Sequence, residues 1–264
     1  MQLLRNYHTH TKRCGHALGE DEEYVLYAIE AGIKELGFSD HIPFRGHPQP
    51  GVRMNYEQID DYVHSISFLK EKYKNKIKIY IGFECEYFEE YRYYYEELLT
   101  KVDFLICGQH FALSKEGFLY VGRKKDDQDV ATEYVNRVIA AMKSGLIKYI
   151  AHPDIFLNSY THRDEFIEGE IRRLCKAAET YHIPLEINLE GMKKQVYYFT
   201  PLDNRFYPYP YFWNIAKDYD IEVIIGADVH DPIDFMADYD KYAYQMVKDY
   251  HLKLIDFINI EDKN

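Results

Sequence analysis

The sequence predicts an α/β fold in which seven strand–helix units surround one parallel sheet. Short apolar runs alternate with longer stretches of helical periodicity, which is the pattern of repeated βα units. Runs such as IKIYIGF at residues 77–83 and EVIIGA at residues 222–227 are rich in β-branched and aromatic residues, as expected of strands buried on both faces. We find no linker and no internal repeat, so residues 1–264 are predicted to form a single domain.

The apolar runs place the strands in chain order. They cover residues 3–8, 35–38, 77–83, 103–107, 148–151, 184–188 and 222–226. In a barrel, the irregular segments between them would form long loops at the carboxyl ends of the strands, where binding groups are usually mounted. These segments are residues 45–53, 114–128, 156–163 and 192–209.

The stretches between the strands carry helix signals. Asn55 and Gln58 have the spacing of a capping box, and Asp164 can cap the amino terminus of a later helix. The helix after the capping box has one apolar stripe and an opposite face of Glu, Lys and Asp. The stripe consists of Ile59, Tyr62, Val63, Ile66, Leu69 and Tyr73.

The charge balance disfavours a nucleic-acid partner. The chain has 44 acidic and 32 basic side chains, a formal net charge of −12, and no basic block to neutralise phosphates. No apolar run approaches the roughly 18–20 residues that span a bilayer, and the first ten residues resemble no signal peptide. We therefore expect a cytoplasmic protein, with no membrane partner, and a monomer by default. The four cysteines lack C-x-x-C spacing, which indicates reduced thiols.

Histidines and carboxylates lie at the carboxyl ends of the predicted strands. The first strand ends in His8 and His10, whose spacing places both imidazoles on one side of an extended chain. Six of the seven strands deliver such side chains to the same rim, and a cluster of imidazoles and carboxylates is typical of divalent transition-metal sites. The candidate ligands are His8, His10, His16, His41, Glu84, His110, His152, Asp228 and His230.

Other polar residues near these positions have different expected roles. Asp40, Asp154 and Asp231 are expected to orient ligand histidines. Glu86 and Glu190 are left open, with a solvated or substrate-facing role favoured over metal binding. The remaining histidines are expected to be ordinary surface or hydrogen-bonded groups. They are His47, His64, His162, His182 and His251.

The strand ends carry motifs that resemble those of a known family. In order they read HTHTKRCGHA, GFSDHIPF, GFECEY, GQHF, AHPD and GADVH, and they extend from Tyr7 to His230. This series resembles the polymerase and histidinol phosphatase (PHP) metal-dependent phosphoesterases, and within them the histidinol-phosphate phosphatase type. Two positions depart from the family pattern. Asn6 stands where an aspartate is frequent, and EINLEG replaces a segment that usually continues with smaller polar residues.

The resemblance implies a distorted (β/α)₇ TIM-like barrel with two or three divalent ions, zinc, manganese or iron. The nine candidates would be their ligands, with Glu84 as a bridge. We expect a hydroxide bridging the metals to attack phosphorus, with Asp228 orienting or deprotonating the water and His230 assisting the leaving oxygen. Arg163 and Arg205 lie in predicted loops and are candidates to clamp the phosphate, because arginine binds phosphate bidentately.

The predicted function is hydrolysis of L-histidinol phosphate to L-histidinol and phosphate in histidine biosynthesis. Tyr160 and Tyr207 are among the tyrosines that could contact the imidazole and ammonium groups. One alternative is a PHP phosphoesterase for another small ester or a nucleic-acid end, which the acidic charge disfavours. A second is a non-catalytic metal-binding interaction module, which the complete set of ligand positions disfavours.

Overall fold

In the computed structural model the strands curl around a central axis, each carrying its polar residues toward the same end. The structure describes residues 3–114, 117–122, 125–198 and 206–261. The strands are β1 (Arg5–Asn6), β2 (Glu35–His41), β3 (Lys78–Cys85), β4 (Phe104–Cys107), β5 (Phe111–Ser114), β6 (Gly117–Tyr120), β7 (Leu185–Asn188), β8 (Glu222–Gly226) and β9 (Lys253–Leu254).

The parallel pairing closes into a ring. β1 to β4 are neighbours in chain order, and β7 pairs in parallel with β8. Ile150 forms parallel bridges to both Cys107 and Leu185, and so joins β4 to β7. A parallel bridge from Thr9 to Val229 joins the end of β1 to the segment after β8. The predicted distorted (β/α)₇ barrel is therefore confirmed.

The fifth predicted strand is shorter than the sequence indicated. Within residues 148–151 only Ile150 forms β-bridges, although the amides of Lys148 and Ala151 also donate to carbonyl oxygens of β4. The chain leaves the extended conformation directly afterwards, because His152 has a left-handed backbone with a φ of 29°. Two features were not predicted. The antiparallel hairpin of β5 and β6 follows His110, and β9 pairs with the start of β8.

Eight helices in the described part of the chain connect these strands. They are α1 (Asp21–Glu30), α2 (Ile59–Tyr73), α3 (Arg92–Leu98), α4 (Gln128–Ser144), α5 (Glu165–Tyr181), α6 (Leu189–Tyr198), α7 (Pro210–Ala216) and α8 (Asp240–Asp249). The capping box of Asn55 and Gln58 is present, and Asp164 caps α5 through the amide of Ile167. None of these helices is long and apolar enough to cross a membrane.

Two apolar clusters hold the polar rim in place. The larger one fills the space between the sheet and the surrounding helices, and includes Tyr62, Ile66 and Leu69 from the predicted stripe of α2. The smaller one lies inside the ring and includes Tyr80, Phe104 and Ile224. Because side chains alternate along a strand, Tyr80 shares a face of β3 with Glu84, four residues later. The inner cluster thus fills the barrel beneath the polar side chains.

Candidate metal centre

The fold brings all nine predicted ligands together at the carboxyl end of the ring. His10 Nε2 lies 3.1 Å from Asp228 Oδ1, although the two residues come from opposite ends of the chain. Glu84 is central, since His41 Nδ1 lies 2.9 Å from its Oε2 atom and His152 Nε2 lies 2.8 Å from its Oε1 atom. These contacts cross the ring, so the centre depends on barrel closure.

Several triads within this cluster have the spacing of metal ligands. The donor atoms of each triad lie within 4.8 Å of one another, which suits ligands about 2.0–2.2 Å from a shared ion. Four of the triads consist only of predicted ligands, and Glu84 belongs to two of them. These triads are His8, His10 and Glu84; His8, His152 and Asp228; His41, Glu84 and His110; and His16, His41 and His230.

Unpartnered buried atoms show that this donor set fits metal ions. His8 Nε2, His10 Nε2, Glu84 Oε2 and Asp228 Oδ1 have no hydrogen-bond partner. Neighbours do lie close, as His8 Nε2 is 3.4 Å from Asp228 Oδ1 and 3.5 Å from Glu84 Oε1, but without hydrogen-bonding geometry. Buried polar atoms normally have partners, so lone pairs that converge in this way indicate a place for cations.

The rings of His16 and His230 give independent support. His16 Nδ1 faces the carbonyl oxygen of Cys14 at 3.3 Å, and His230 Nδ1 faces that of Asp228 at 3.0 Å. A carbonyl oxygen only accepts, so both Nδ1 atoms carry the proton. The two Nε2 atoms, 3.1 Å apart, then present lone pairs to each other. A cation between them would remove this repulsion.

Glu186 is a central residue that the sequence analysis missed. Its side chain is fully buried in β7 and accepts hydrogen bonds from His8 Nδ1 at 2.8 Å, the amide of His152 at 3.0 Å and Asn188 Nδ2 at 2.8 Å. By accepting from Nδ1, it directs the Nε2 lone pair of His8 into the centre. The sixth predicted strand was the one without a candidate ligand. This absence could have drawn attention to Glu186 as a polar residue of that strand.

Comparison with known proteins places the chain in a family. The model of the PHP domain matches residues 6–190. The chain belongs to the PHP family. A Bacillus subtilis protein named "Histidinol-phosphatase" is 22% identical over 270 residues, which cover 91% of this chain and 97% of that protein. A Deinococcus radiodurans protein named "Probable histidinol-phosphatase" is 26% identical over 238 residues, 88% of each chain.

A solved PHP-type structure shares the fold. The histidinol phosphate phosphatase of Lactococcus lactis, determined in complex with zinc, L-histidinol and phosphate, superposes with a TM-score of 0.71. The superposition covers 98% of this chain and all of that one, at 17% sequence identity. The superposition over nearly the whole chain supports the barrel architecture assigned above, even though the two sequences share few identical residues.

Two glycines leave room for the carboxylates of this PHP centre. A Cβ atom on Gly108 would lie 1.7 Å from Glu84 Oε1, and one on Gly226 would lie 1.8 Å from Glu186 Oε1. Any other residue at either position would displace a carboxylate that organises the centre.

Glu86 orients one ligand and is itself held by a buried arginine. It lies 3.2 Å from His110 Nδ1 through Oε1. Arg53 donates to both oxygens of Glu86, at 2.9 and 3.0 Å, and to the carbonyl oxygen of Ile42. Burial raises the pKa of Glu86, but Arg53 and His110 outweigh it and lower the pKa to about 2. Glu86 is therefore neither solvated nor facing substrate, and the sequence did not indicate Arg53.

The three aspartates expected to orient histidines behave differently from one another. Asp40 Oδ1 lies 3.6 Å from His10 Nδ1, close to the expected place. Asp154 instead accepts from the backbone amide of Tyr209, and Asp231 instead caps the short 3₁₀ helix Pro232–Met236. The prediction is thus wrong for Asp154 and Asp231, because each serves a nearby backbone amide.

The contacts of Asn6 show why an amide suits this position at the end of β1. Its Nδ2 atom donates to Thr9 Oγ1 at 2.8 Å and to the carbonyl oxygen of His8 at 3.0 Å. Its Oδ1 atom accepts from the amide of Ala227 at 2.8 Å. A carboxylate could accept but not donate, so Asn6 joins β1 to the segment after β8 through both functions of its amide.

The electrostatics keep the carboxylates of the centre ionised, whereas the imidazoles differ from one another. Burial and the neighbouring His10 lower the pKa of His41 to about 4, which keeps its imidazole neutral. Burial alone would raise the pKa values of Glu84 and Asp228, but the surrounding histidines lower both well below the usual range. Burial alone would lower the pKa values of His8, His10 and His110, but the neighbouring carboxylates raise all three, that of His10 to about 9. Neutral imidazole and ionised carboxylate are the ligand forms, so metal binding displaces protons from these three histidines.

Two of the predicted ligands have unusual backbones. His152 has a φ of 29° and Asp228 a φ of 51°, both in the left-handed region that non-glycine residues rarely adopt. Such conformations cost about 1–3 kcal/mol and persist where the surroundings impose them. Here they turn each side chain toward the centre just after its strand ends.

A cavity of about 690 Å³ opens above the centre, within the usual size range of a ligand site. Its lining includes the metal-centre residues Asp228 and His230 and the aromatic residues Phe111, Tyr120 and Tyr207. Glu190 and Lys194, from α6, add one carboxylate and one ammonium group. Of the two tyrosines named from the sequence, Tyr207 lines the cavity, whereas the hydroxyl of Tyr160 lies 3.2 Å from Asp164 Oδ2.

Only one of the two arginines of the candidate phosphate clamp lies among the described residues. The guanidinium of Arg163 lies over the rings of Tyr209 and Tyr211, at 5.4 and 5.3 Å from their centroids, and donates to the carbonyl oxygen of Tyr160. It is not among the described residues that line the cavity. Arg205 lies outside the described residues. The clamp stays a prediction.

Proposed function

We propose that this PHP protein hydrolyses L-histidinol phosphate to L-histidinol and phosphate with the help of bound divalent metal ions. The observation that carries the proposal is the convergence of nine imidazole and carboxylate side chains, several with unpartnered lone pairs, at the floor of a ligand-sized cavity. The relatives named histidinol-phosphatase match over most of their length and of this chain, which supports this substrate.

The nine converging side chains are the residues that would hold the ions. We propose two or three ions, with Glu84 shared between sites because it belongs to two of the four triads. Imidazole and carboxylate ligands suit zinc, manganese or iron, and the related Lactococcus lactis structure contains zinc. When bound, the ions supply a water of lowered pKa and neutralise charge on the phosphoryl oxygens.

Asp228 is the residue we assign to the attacking water. Asn188 donates to its Oδ2 atom at 3.0 Å and fixes the carboxylate. Its Oδ1 atom has no hydrogen-bond partner and lies 3.1 Å from His10 Nε2. An ionised carboxylate held in this way at the cavity floor can orient the attacking water. Because the surrounding histidines lower the pKa of Asp228 well below its usual range, transfer of the water proton to Asp228 stays a prediction.

His230 is the group predicted to assist the leaving oxygen, and it lines the same cavity. Burial and the nearby His10 lower the pKa of His230 well below its ordinary value. A neutral ring is better suited to bind a cation than to donate a proton. We therefore assign His230 first to metal binding, and its role as an acid stays a prediction.

The test compares substrates on metal-loaded and chelator-treated protein. We expect kcat/KM for L-histidinol phosphate to exceed that for an aryl phosphate by several orders of magnitude, and turnover to disappear with the chelator. Asp228→Asn should abolish turnover, whereas Glu222→Gln, at a partly exposed site in β8, should not. Equal rates on all esters, or cleavage of a short single-stranded oligonucleotide instead, would overturn the proposed substrate. Absence of any metal-dependent turnover would favour the non-catalytic module.

A further inference from the structure

Glu190 is a carboxylate of the cavity that metal binding does not require. It lies in the first turn of α6, directly after β7, and shares the cavity lining with Asp228. Its side chain is only 14% exposed, and it is absent from every triad of candidate metal ligands in the described chain.

The charge of Glu190 is only loosely compensated by the protein. Lys194 Nζ lies 3.3 Å from one oxygen and Lys193 Nζ lies 3.4 Å from the other, longer than the roughly 2.7–2.9 Å of a strong charge-assisted hydrogen bond. Lys193 is held more closely by Asp234, at 2.6 Å. Burial is the main cause that raises the pKa of Glu190. The carboxylate therefore retains lone pairs for a further cationic partner.

The proposed substrate carries such a partner. In L-histidinol phosphate the ammonium group is two carbons from the ester oxygen, so it stays near the phosphate when the phosphate sits at the metal centre. The imidazole extends further, and the aromatic side chains of Phe111, Tyr120 and Tyr207 supply flat apolar surfaces along the cavity wall. Glu190 is the carboxylate of the described lining that lies outside the metal centre.

We infer that Glu190 binds the ammonium group of the substrate and thereby selects aminoalkyl phosphate esters over esters without an amine. The inference rests on the proposed function, which supplies the substrate. Glu190 contributes to recognition and not to bond cleavage, so its effect depends on whether the substrate has the amine. Lys194 compensates the carboxylate in the free protein and is not required for the selectivity.

The test measures two substrates on each of two forms of the protein. L-histidinol phosphate and its analogue with hydrogen in place of the amino group are compared on the wild type and on Glu190→Gln, both loaded with metal. A hydrogen bond to a charged group corresponds to roughly a 10- to 100-fold change. We expect Glu190→Gln to lower kcat/KM for L-histidinol phosphate by about that factor and to change kcat/KM for the analogue less than about threefold.

Binding of the product gives a second measurement. Calorimetry should show a similarly weakened Kd of Glu190→Gln for L-histidinol, with unchanged metal content. Lys194→Met should keep the preference for the amine. This result would show that Glu190 binds the amine directly and does not act by positioning Lys194. Glu168→Gln, on an exposed surface pair with Arg172, is the matched control and should behave as the wild type.

The possible failures are distinguishable. Equal losses on both substrates, or no loss on either, would overturn the role of Glu190. A wild type that does not turn over L-histidinol phosphate would instead overturn the proposed function. Loss of amine selectivity in Lys194→Met as large as in Glu190→Gln would reassign the selectivity to the lysine.

Discussion

At Glu186 a single carboxylate organises three parts of the metal centre. It accepts from His8, from the backbone of His152 and from Asn188, and Asn188 in turn fixes Asp228. A metal-binding imidazole needs its other nitrogen held by an acceptor, because that contact sets both the tautomer and the direction of the free lone pair. Glu186 therefore acts on three predicted ligands without being one of them.

Replacement of Glu186 by glutamine tests this role. We expect metal affinity to fall about 10- to 100-fold, the usual effect of losing a partner of a metal-ligating histidine. The measurement is metal content after dialysis against graded chelator. Glu222→Gln, in neighbouring β8 and paired loosely with Lys253 at 3.5 Å, is the matched control. Unchanged affinity in Glu186→Gln would show that His8 is oriented by other contacts.

Arg163→Ala tests the phosphate clamp predicted from the sequence. If Arg163 reaches the phosphate, KM should rise and kcat/KM should fall about tenfold or more, with metal content unchanged. If Arg163 instead serves only to pack on Tyr209 and Tyr211, Arg163→Ala should lower the unfolding free energy and leave KM unchanged. Arg172→Ala, on the exposed side of α5, serves as the control in both measurements. The corresponding Arg205→Ala completes the test, and an unchanged kcat/KM in both variants would exclude the clamp.

At the scale of elements, Arg53 attaches the loop after β2 to the end of β3. Its side chain is 1% exposed, and its guanidinium donates to Glu86, Gln49 and the carbonyl oxygen of Ile42. It also lies 5.2 Å from the ring centroid of Phe44 and 5.7 Å from that of Phe111. The loop, the strand end and the start of the β5–β6 hairpin are therefore positioned by one buried cation.

Removing this cation should destabilise the protein strongly. Arg53→Met leaves the Glu86 carboxylate buried without its main partner, which costs about 3–5 kcal/mol of unfolding free energy. The double variant Arg53→Met/Glu86→Gln should recover part of the loss, because neither member of this pair is then charged. Denaturant unfolding measures both. Lys70→Met, at a half-exposed pair with Asp103, is the control and should lower the unfolding free energy by less than about 1 kcal/mol. An equally small loss for Arg53→Met would contradict the role of Arg53 in a buried network.

At the scale of the whole molecule, the metal centre and the barrel depend on each other. Thr9 pairs with Val229, and His10 N donates to the carbonyl oxygen of Val229 at 2.9 Å. This closure brings His8 and His10 against Asp228 and so completes the donor set. The converging lone pairs oppose the closure until cations occupy the space between them, so metal ions should stabilise the closed ring.

Metal removal should therefore lower the melting temperature. Each ion present at about 100 times its Kd adds about 2.7 kcal/mol to the unfolding free energy, so a single occupied site already corresponds to about 5–10 °C in Tm for a chain of this size. Calorimetry of chelator-treated protein, before and after addition of zinc or manganese, measures the shift. His10→Ala/Asp228→Asn should respond much less. A wild-type Tm that is independent of metal would contradict the coupling.

The seven strands of the ring and the identity of the clustered side chains could be predicted from the sequence, whereas the β5–β6 hairpin and β9 could not. Each candidate ligand follows an apolar run, and parallel strands end at the same rim, so His41, Glu84 and Asp228 could be assigned to one edge without coordinates. The caps at Asn55 and Asp164 were equally predictable, because capping depends on residues three positions apart. These inferences use only local periodicity and short spacings.

Which groups support the centre and which face the cavity could not be predicted, because both depend on contacts between distant segments. Glu186 meets His8, and Arg53 meets Glu86, across gaps of 178 and 33 residues. Strand alternation gives the face of a side chain but not its partner on a distant strand, since that depends on the register and closure of the ring. The position of Glu190 in the cavity and of Arg163 over two tyrosines depended in the same way on how the segments after β7 and around α5 pack.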